Sequence, residues 1–185
     1  SSSTGLTITV NAYIENFYSG AWGRIFQLGE REMSSSNTYI GDGQIFVSVN
    51  GVAATDINGS TVMPNSTNVC SILARQWYSI SIVLDPSANT ITIYTSGYQL
   101  NDSGAIEYMF GWYTAQTTNS NVTTLIGSII SDGAENWLGR SFWDTADTSV
   151  VGAASNLSVY NRPLTATEVE MLHGTSDLST LIANA

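Results

Sequence analysis

The 185-residue chain contains no lysine; five arginines stand against fifteen aspartates and glutamates, for a formal charge of −10. A surface of that sign repels phosphate backbones and anionic lipid, which argues against nucleic acid or an acidic membrane as partner. The single cysteine, Cys70, leaves no internal disulfide to staple the fold. No apolar run approaches the roughly 18 residues of a membrane-spanning helix. The one histidine, His173, would have to carry any catalytic triad or imidazole metal site alone. Its position at the end of a short helical segment suits a partner of the helix dipole instead. Neither a Gly-x-Ser-x-Gly elbow nor a phosphate-binding loop occurs. Carboxylate pairing is equally thin, because Glu30 and Glu32 flank Arg31 beside a turn, as on a solvated surface. These absences point away from catalysis.

What the chain has in quantity is serine and threonine, 25 and 21 residues, many alternating with Ile and Val. That is the pattern of strands with one wet face, and a chain of this length can bury a core as one domain. In "GLTITVNAYIEN", Leu6, Ile8, Val10, Ala12 and Ile14 share one face while Thr7, Thr9, Asn11 and Tyr13 share the other. "GRIFQLGE" repeats the idea, and Asp42-Gly43 marks a hairpin turn before Ile45, Val47 and Val49. "WYSISIVLDPSANTITIYTSG" is a second hairpin closed by a Pro-Ser-Ala-Asn turn. Beyond it, residues 101–135 lose the alternation, and "TAQTTNSNVTT" reads as a long exposed loop. Alternation returns in "VVGAASNLSVYN". After the Asn-Arg-Pro corner, Thr165 and Glu168 form a capping box for one short helix ending near Gly174.

Three stretches then resemble the laminin G-like and concanavalin A-like lectin/glucanase jelly-roll domains: "LTITVNAYI…GRIFQLG", "WYSISIVLDPSANTITIYTSGYQL" and "LGRSFWDTADTSVVGAASNLSVYNRPLTATEVEML". The likeness runs from Leu6 to Leu172 within a single domain over 1–185, with 101–135 an unmatched loop insertion. It implies an all-β, two-sheet antiparallel jelly-roll sandwich with one short C-terminal helix. It does not fix a function, since that fold hosts unrelated activities. Two departures stand out. Ser155 and Asn156 occupy the place of the family's usual acidic pair, and only Ser1 to Gly5 precede the first strand, where relatives carry one or two more. The sandwich is therefore expected to be one strand short, leaving an open edge at Leu157 to Tyr160. A longer polypeptide, or a strand donated by another subunit, would fill that edge.

Candidate site residues follow from side-chain chemistry. Trp112, Tyr113, Trp137 and Trp143 gather in and around the irregular region, and aromatic faces on loops are what sugar rings stack against. Trp77 and Trp22 are poorer candidates, since Trp77 starts the core hairpin and Trp22 precedes an apolar strand. Asp144 and Asp147 in "WDTADT" offer hard oxygen ligands for Ca²⁺, the one cofactor suggested, against the simpler reading of a polar turn. Asn58, Asn65, Asn101, Asn121 and Asn156 head glycosylation sequons. The expectation is a non-catalytic extracellular or cell-surface module that binds glycans or proteins, or a structural subunit that polymerises with copies of itself, and not a glycosidase.

Overall fold

The computed structural model describes residues 4–16, 24–30, 44–48, 51–55, 61–62, 75–100, 106–108, 113–118, 122–139 and 151–174. Eleven strands and two helices lie within them. The strands are β1 (Leu6–Asn16), β2 (Arg24–Glu30), β3 (Gln44–Ser48), β4 (Gly51–Thr55), β5 (Thr61–Val62), β6 (Gln76–Asp85), β7 (Thr90–Leu100), β8 (Ile106–Tyr108), β9 (Tyr113–Thr118), β10 (Ala134–Leu138) and β11 (Val151–Tyr160); the helices are α1 (Val122–Ile130) and α2 (Ala166–Leu172). A six-stranded sheet runs β11-β1-β6-β7-β8, with β9 also on β7, and a five-stranded sheet runs β10-β2-β3-β4-β5. Every pairing is antiparallel. The chain is the expected all-β two-layer sandwich.

Strand alternation builds the core directly. Leu6, Ile8, Val10, Ala12 and Ile14 of β1 and Tyr78, Ile80, Ile82 and Leu84 of β6 face Phe26 and Leu28 of the other sheet in one buried cluster. Full burial of each Leu, Ile or Phe contributes about 1.5–3 kcal/mol, which is why the register is fixed. The β6–β7 hairpin forms as expected. Asp85 accepts from the Ser87 hydroxyl and backbone N–H (2.6 and 2.8 Å), Asn89 supplies a positive φ of 51°, and the serine hydrogen bond holds the Asp85 carboxyl below its ordinary range. The Asp42-Gly43 turn lies outside the described residues, as does Cys70; β3, which would follow that turn, pairs with both β2 and β4.

Two expectations change. The chain has a second helix, and "TAQTTNSNVTT" contains regular structure: β9 pairs with β7 from Tyr113 to Thr118, and α1 begins at Val122. Thr114, Gln116 and Thr118 of β9 are exposed, so this edge strand carries no hydropathy signal on that face. Gln116 ties it to the sheet by donating through Nε2 to Thr92 Oγ1 at 2.9 Å. In α1, Val122, Leu125, Ile126 and Ile129 follow the helical i, i+3, i+4, i+7 spacing and join the main core. The helix starts inside a polar run, which masks its apolar stripe.

At the other end of the six-stranded sheet, β11 pairs with β1 and has no second neighbour among the described residues. Its apolar side chains stay open to solvent, Leu157 at 47% and Val159 at 61%. Val159 stands opposite Ile8, hence on the core-facing side of its sheet, but beyond the cover of the second layer.

Candidate functional site

The outer face of the six-stranded sheet is shaped by α2. The chain leaves β11, turns at Asn161-Arg162, and is pinned back to β1 by Thr7, whose Oγ1 donates to the Arg162 carbonyl (2.8 Å) and accepts from Leu164 N–H (2.9 Å). Thr165 then caps α2. Its hydroxyl accepts from Glu168 N–H (3.3 Å), and the Glu168 carboxylate accepts from Thr165 N–H (2.8 Å). Arg162 grips both oxygens of that carboxylate at 3.0 and 2.6 Å, and this pairing draws the Glu168 pKa down to about 2. Underneath, Leu164 and Val169 bury themselves against Val83 and Tyr94 in a second, smaller core.

Anchoring α2 this way delivers His173, its C-cap, onto the sheet. The imidazole is 4% exposed and lies 2.8 Å from Ser81 Oγ through Nε2 and 2.9 Å from Ser96 Oγ through Nδ1. Burial pushes its pKa down to about 4, so it is neutral at physiological pH. The dipole-partner reading, which needs a cation, is thereby corrected: the residue bridges two strands as an uncharged polar strut. A serine beside an imidazole also has the make-up of nucleophile and base. Ser81 is fully buried, however, and a serine hydroxyl faces the second ring nitrogen where a triad would set a carboxylate.

Beside His173 opens a cleft of about 230 Å³ between the end of α2 and the β1–β11 pair. Thr9, Asn11, Asn156, Ser158, Tyr160 and Leu172 line it with His173, together with the aliphatic Val10 and Ile80. Its rim is set by a bulge. Thr9 pairs with Ser158 and Asn11 with Ser155, so Val10 alone faces both Asn156 and Leu157. Asn156 takes the left-handed conformation there (φ 52°), which asparagine tolerates better than most residues. None of the lining residues carries a charge at neutral pH, although the protein's formal charge is −10.

The same face continues away from α2. Ser79 Oγ donates to Asn11 Oδ1 at 2.8 Å, and one rung further Tyr13 and Trp77 pair with ring centroids 5.5 Å apart at 42°. Both rings are half-buried, and Tyr13 OH donates to Glu15 Oε2 at 2.7 Å. Trp77, ranked low because it starts the core hairpin, is turned outward by strand parity: with Tyr78, Ile80 and Ile82 inward, Trp77, Ser79 and Ser81 point away from the main core.

Of the aromatic group expected from sequence, Tyr113 opens β9 in one sheet and Trp137 sits half-buried on β10 in the other. They occupy edge strands of different layers and do not share a sheet face. Trp112, Trp143 and Trp22, the candidate calcium ligands Asp144 and Asp147, Glu32, and the sequons at Asn58, Asn65, Asn101 and Asn121 lie outside the described residues. Asn156 lies within them, exposed on the bulge. Among the described residues no helix is long and apolar enough to cross a membrane.

No family model matches the chain, and no curated protein matches it. Among solved structures it is similar to a native heptameric SAP-like pentraxin from Limulus polyphemus, with a TM-score of 0.46 and 16% identity over 92% of this chain and 70% of that one. It is also similar to the full extracellular region of zebrafish Gpr126/Adgrg6, with a TM-score of 0.44 and 13% identity over 90% of this chain and 19% of that one. At these identities and TM-scores neither likeness bears on function.

Proposed function

We propose that the chain is a non-catalytic extracellular module that binds a neutral, hydroxyl-rich ligand, a segment of glycan, in the cleft beside His173. The observation that carries this reading is an uncharged cleft on an otherwise acidic protein, whose accessible polar groups are the Asn11 and Asn156 amides and the Ser158 and Tyr160 hydroxyls. Such a lining can exchange hydrogen bonds with sugar hydroxyls. A charged ligand would lose hydration there without gaining a counter-ion. Leu172 and Tyr160 add the apolar surface that the CH face of a sugar ring prefers. The test is a glycan array probed with the whole chain and with Ser158→Arg, which fills the cleft with a charged side chain. Signal lost in the variant supports the reading, and an identical pattern for both proteins rejects it.

The second reading, a subunit that assembles through β11, is favoured by an edge of β11 that has no second strand among the described residues and by Val151, Leu157 and Val159 at 44%, 47% and 61% exposure. Light scattering across micromolar concentrations separates the two. A monomer at all concentrations rejects the subunit, whereas polymers that Val159→Lys dissolves support it.

A further inference from the structure

One rung of the six-stranded sheet differs from the rest. Tyr13 of β1 stands opposite Trp77 of β6, Trp77 opposite Tyr98 of β7, and Tyr98 opposite Tyr108 of β8. Residues directly opposite share a face, so four aromatic positions form one row across four neighbouring strands, on the face away from the main core. Every other rung of that sheet holds at most one Tyr or Trp among the described residues. At about 4.8 Å between strands, the row spans roughly 14 Å. We infer that this row is a second carbohydrate site, separate from the His173 cleft, on which an uncharged, flat β-linked polysaccharide lies across the strands. None of its four residues lines the cleft, so it does not depend on the reading above.

Tyr13 and Trp77 are half-buried, their ring centroids 5.5 Å apart, so part of each ring stays open to solvent. Cross-strand contact accounts for the covered part, and the open part is what the CH face of a sugar ring would cover. On the β11 side the row ends at the exposed Ala153, opposite Tyr13 and too small to wall it off. The accessible polar groups beside the pair are Glu15 and Arg75, whose side chains are 48% and 80% exposed and 3.9 Å apart. Arg75 is held there at a backbone cost: its φ is 64°, rare for a residue other than glycine, while its N–H donates to the Ile14 carbonyl. Tyr13 OH donates to Glu15 Oε2 at 2.7 Å, which fixes the carboxylate beside the ring.

These groups select the ligand. Carboxylate and guanidinium offset each other, so the site has no net charge to attract a polycation, and the protein's charge of −10 repels a polyanion. A protein partner that buried the pair would strip water from two ions. Sugar hydroxyls both donate and accept, and can replace that water on either group while the ring stacks on the aromatic row.

Co-sedimentation of the full chain with microcrystalline cellulose, with chitin and with granular starch tests the platform. The expected result is retention by cellulose or chitin, whose β-1,4-linked chains are flat, and not by the coiled α-linked chains of starch. Trp77→Ala and Tyr98→Ala each weaken that retention on the order of tenfold, about what one stacked ring is worth, while circular dichroism reports a folded sheet. Trp77→Phe keeps a ring and keeps most of the binding. Arg75→Gly, which suits the positive φ and removes only the guanidinium, weakens retention roughly threefold, as the loss of one hydrogen bond does. Retention that survives Trp77→Ala, Tyr98→Ala and Arg75→Gly, or that Ser158→Arg abolishes, overturns the platform and leaves the cleft reading standing. No retention by cellulose or chitin overturns it as well, and the glycan array then judges the cleft alone.

Discussion

His173 Nε2 lies 2.8 Å from the hydroxyl of Ser81, a residue 92 positions earlier in the chain, and the imidazole that makes this contact is buried and neutral. One hydrogen-bonded strut therefore joins the last turn of α2 to the middle of the six-stranded sheet and forms one wall of the proposed binding cleft.

The strut makes stability depend on pH. The imidazole has an ordinary pKa of 6.5 when unfolded and about 4 when folded. Between those values the unfolded chain binds more protons, so stability is full above pH 6.5 and falls as pH drops towards 4. The shift of His173 corresponds to about 3 kcal/mol across that window. Glu168, whose pKa falls from 4.5 to about 2, acts lower: its contribution is present above pH 4.5 and is lost on the way to pH 2. Urea unfolding at pH 7, 5.5 and 4.5 should show the native chain weakening and His173→Gln weakening much less over the same range. Parallel slopes for the two proteins would remove His173 as the cause.

Positioning of the strut depends on the start of α2. Thr165→Ala removes the side-chain acceptor of the capping box, at a cost of about 1 kcal/mol. Because α2 is only seven residues long, fraying at its first turn reaches His173 at its last. Hydrogen exchange at Val169 and His173 is expected to accelerate together in the variant, with exchange in β6 nearly unchanged. Acceleration confined to residues 165–168 would mean that His173 is held independently of the cap.

Gly152 tests the pairing that brings β11 against β1. It stands opposite Ile14, and an added Cβ would collide with the backbone carbonyl oxygen of Tyr13, a group that cannot swing aside. Gly152→Ala should therefore cost about 1–3 kcal/mol, as overpacking does, and should loosen β11 first. The adjacent Ala153→Gly change is the control, since it adds no atom. Equal urea midpoints for Gly152→Ala and the native chain would mean that the strands do not approach so closely.

The parts of this architecture legible in the sequence are those in which local pattern and tertiary burial agree. Alternation in Leu6–Ile14 and Tyr78–Ile93 announces strands with one face inside, and the Thr165…Glu168 pair announces α2, because each signal is written within a few residues. The helix α1 was obscured because its stripe of Val122, Leu125, Ile126 and Ile129 begins in a run of Thr and Asn that reads as loop. The site was harder to read. Strand parity alone turns Trp77 outward, whereas the aromatics that stand out in the sequence, Trp112 and Trp143, are those on irregular segments. The His173 bridge to Ser81 and Ser96 leaves no local trace, since only the folded sheet brings those three residues together.

Asn156 sets the proposed ligand and a proposed modification in competition. It heads the sequon Asn156-Leu157-Ser158, its side chain is exposed on the bulge, and it lines the same cleft as Ser158 and Leu172. A glycan carried on its amide would begin at the cleft's rim, where its first sugar occupies the space a ligand needs. Protein made in a glycosylating host with Asn156 occupied, as read by peptide mass spectrometry, should bind an oligosaccharide at least tenfold more weakly than the same chain made in bacteria, a difference of about 1.4 kcal/mol. Comparing hosts avoids replacing Asn156, since most other side chains would strain at φ 52°. Equal affinity of the two preparations, with occupancy demonstrated, would put the ligand on a part of the sheet that Asn156 does not border.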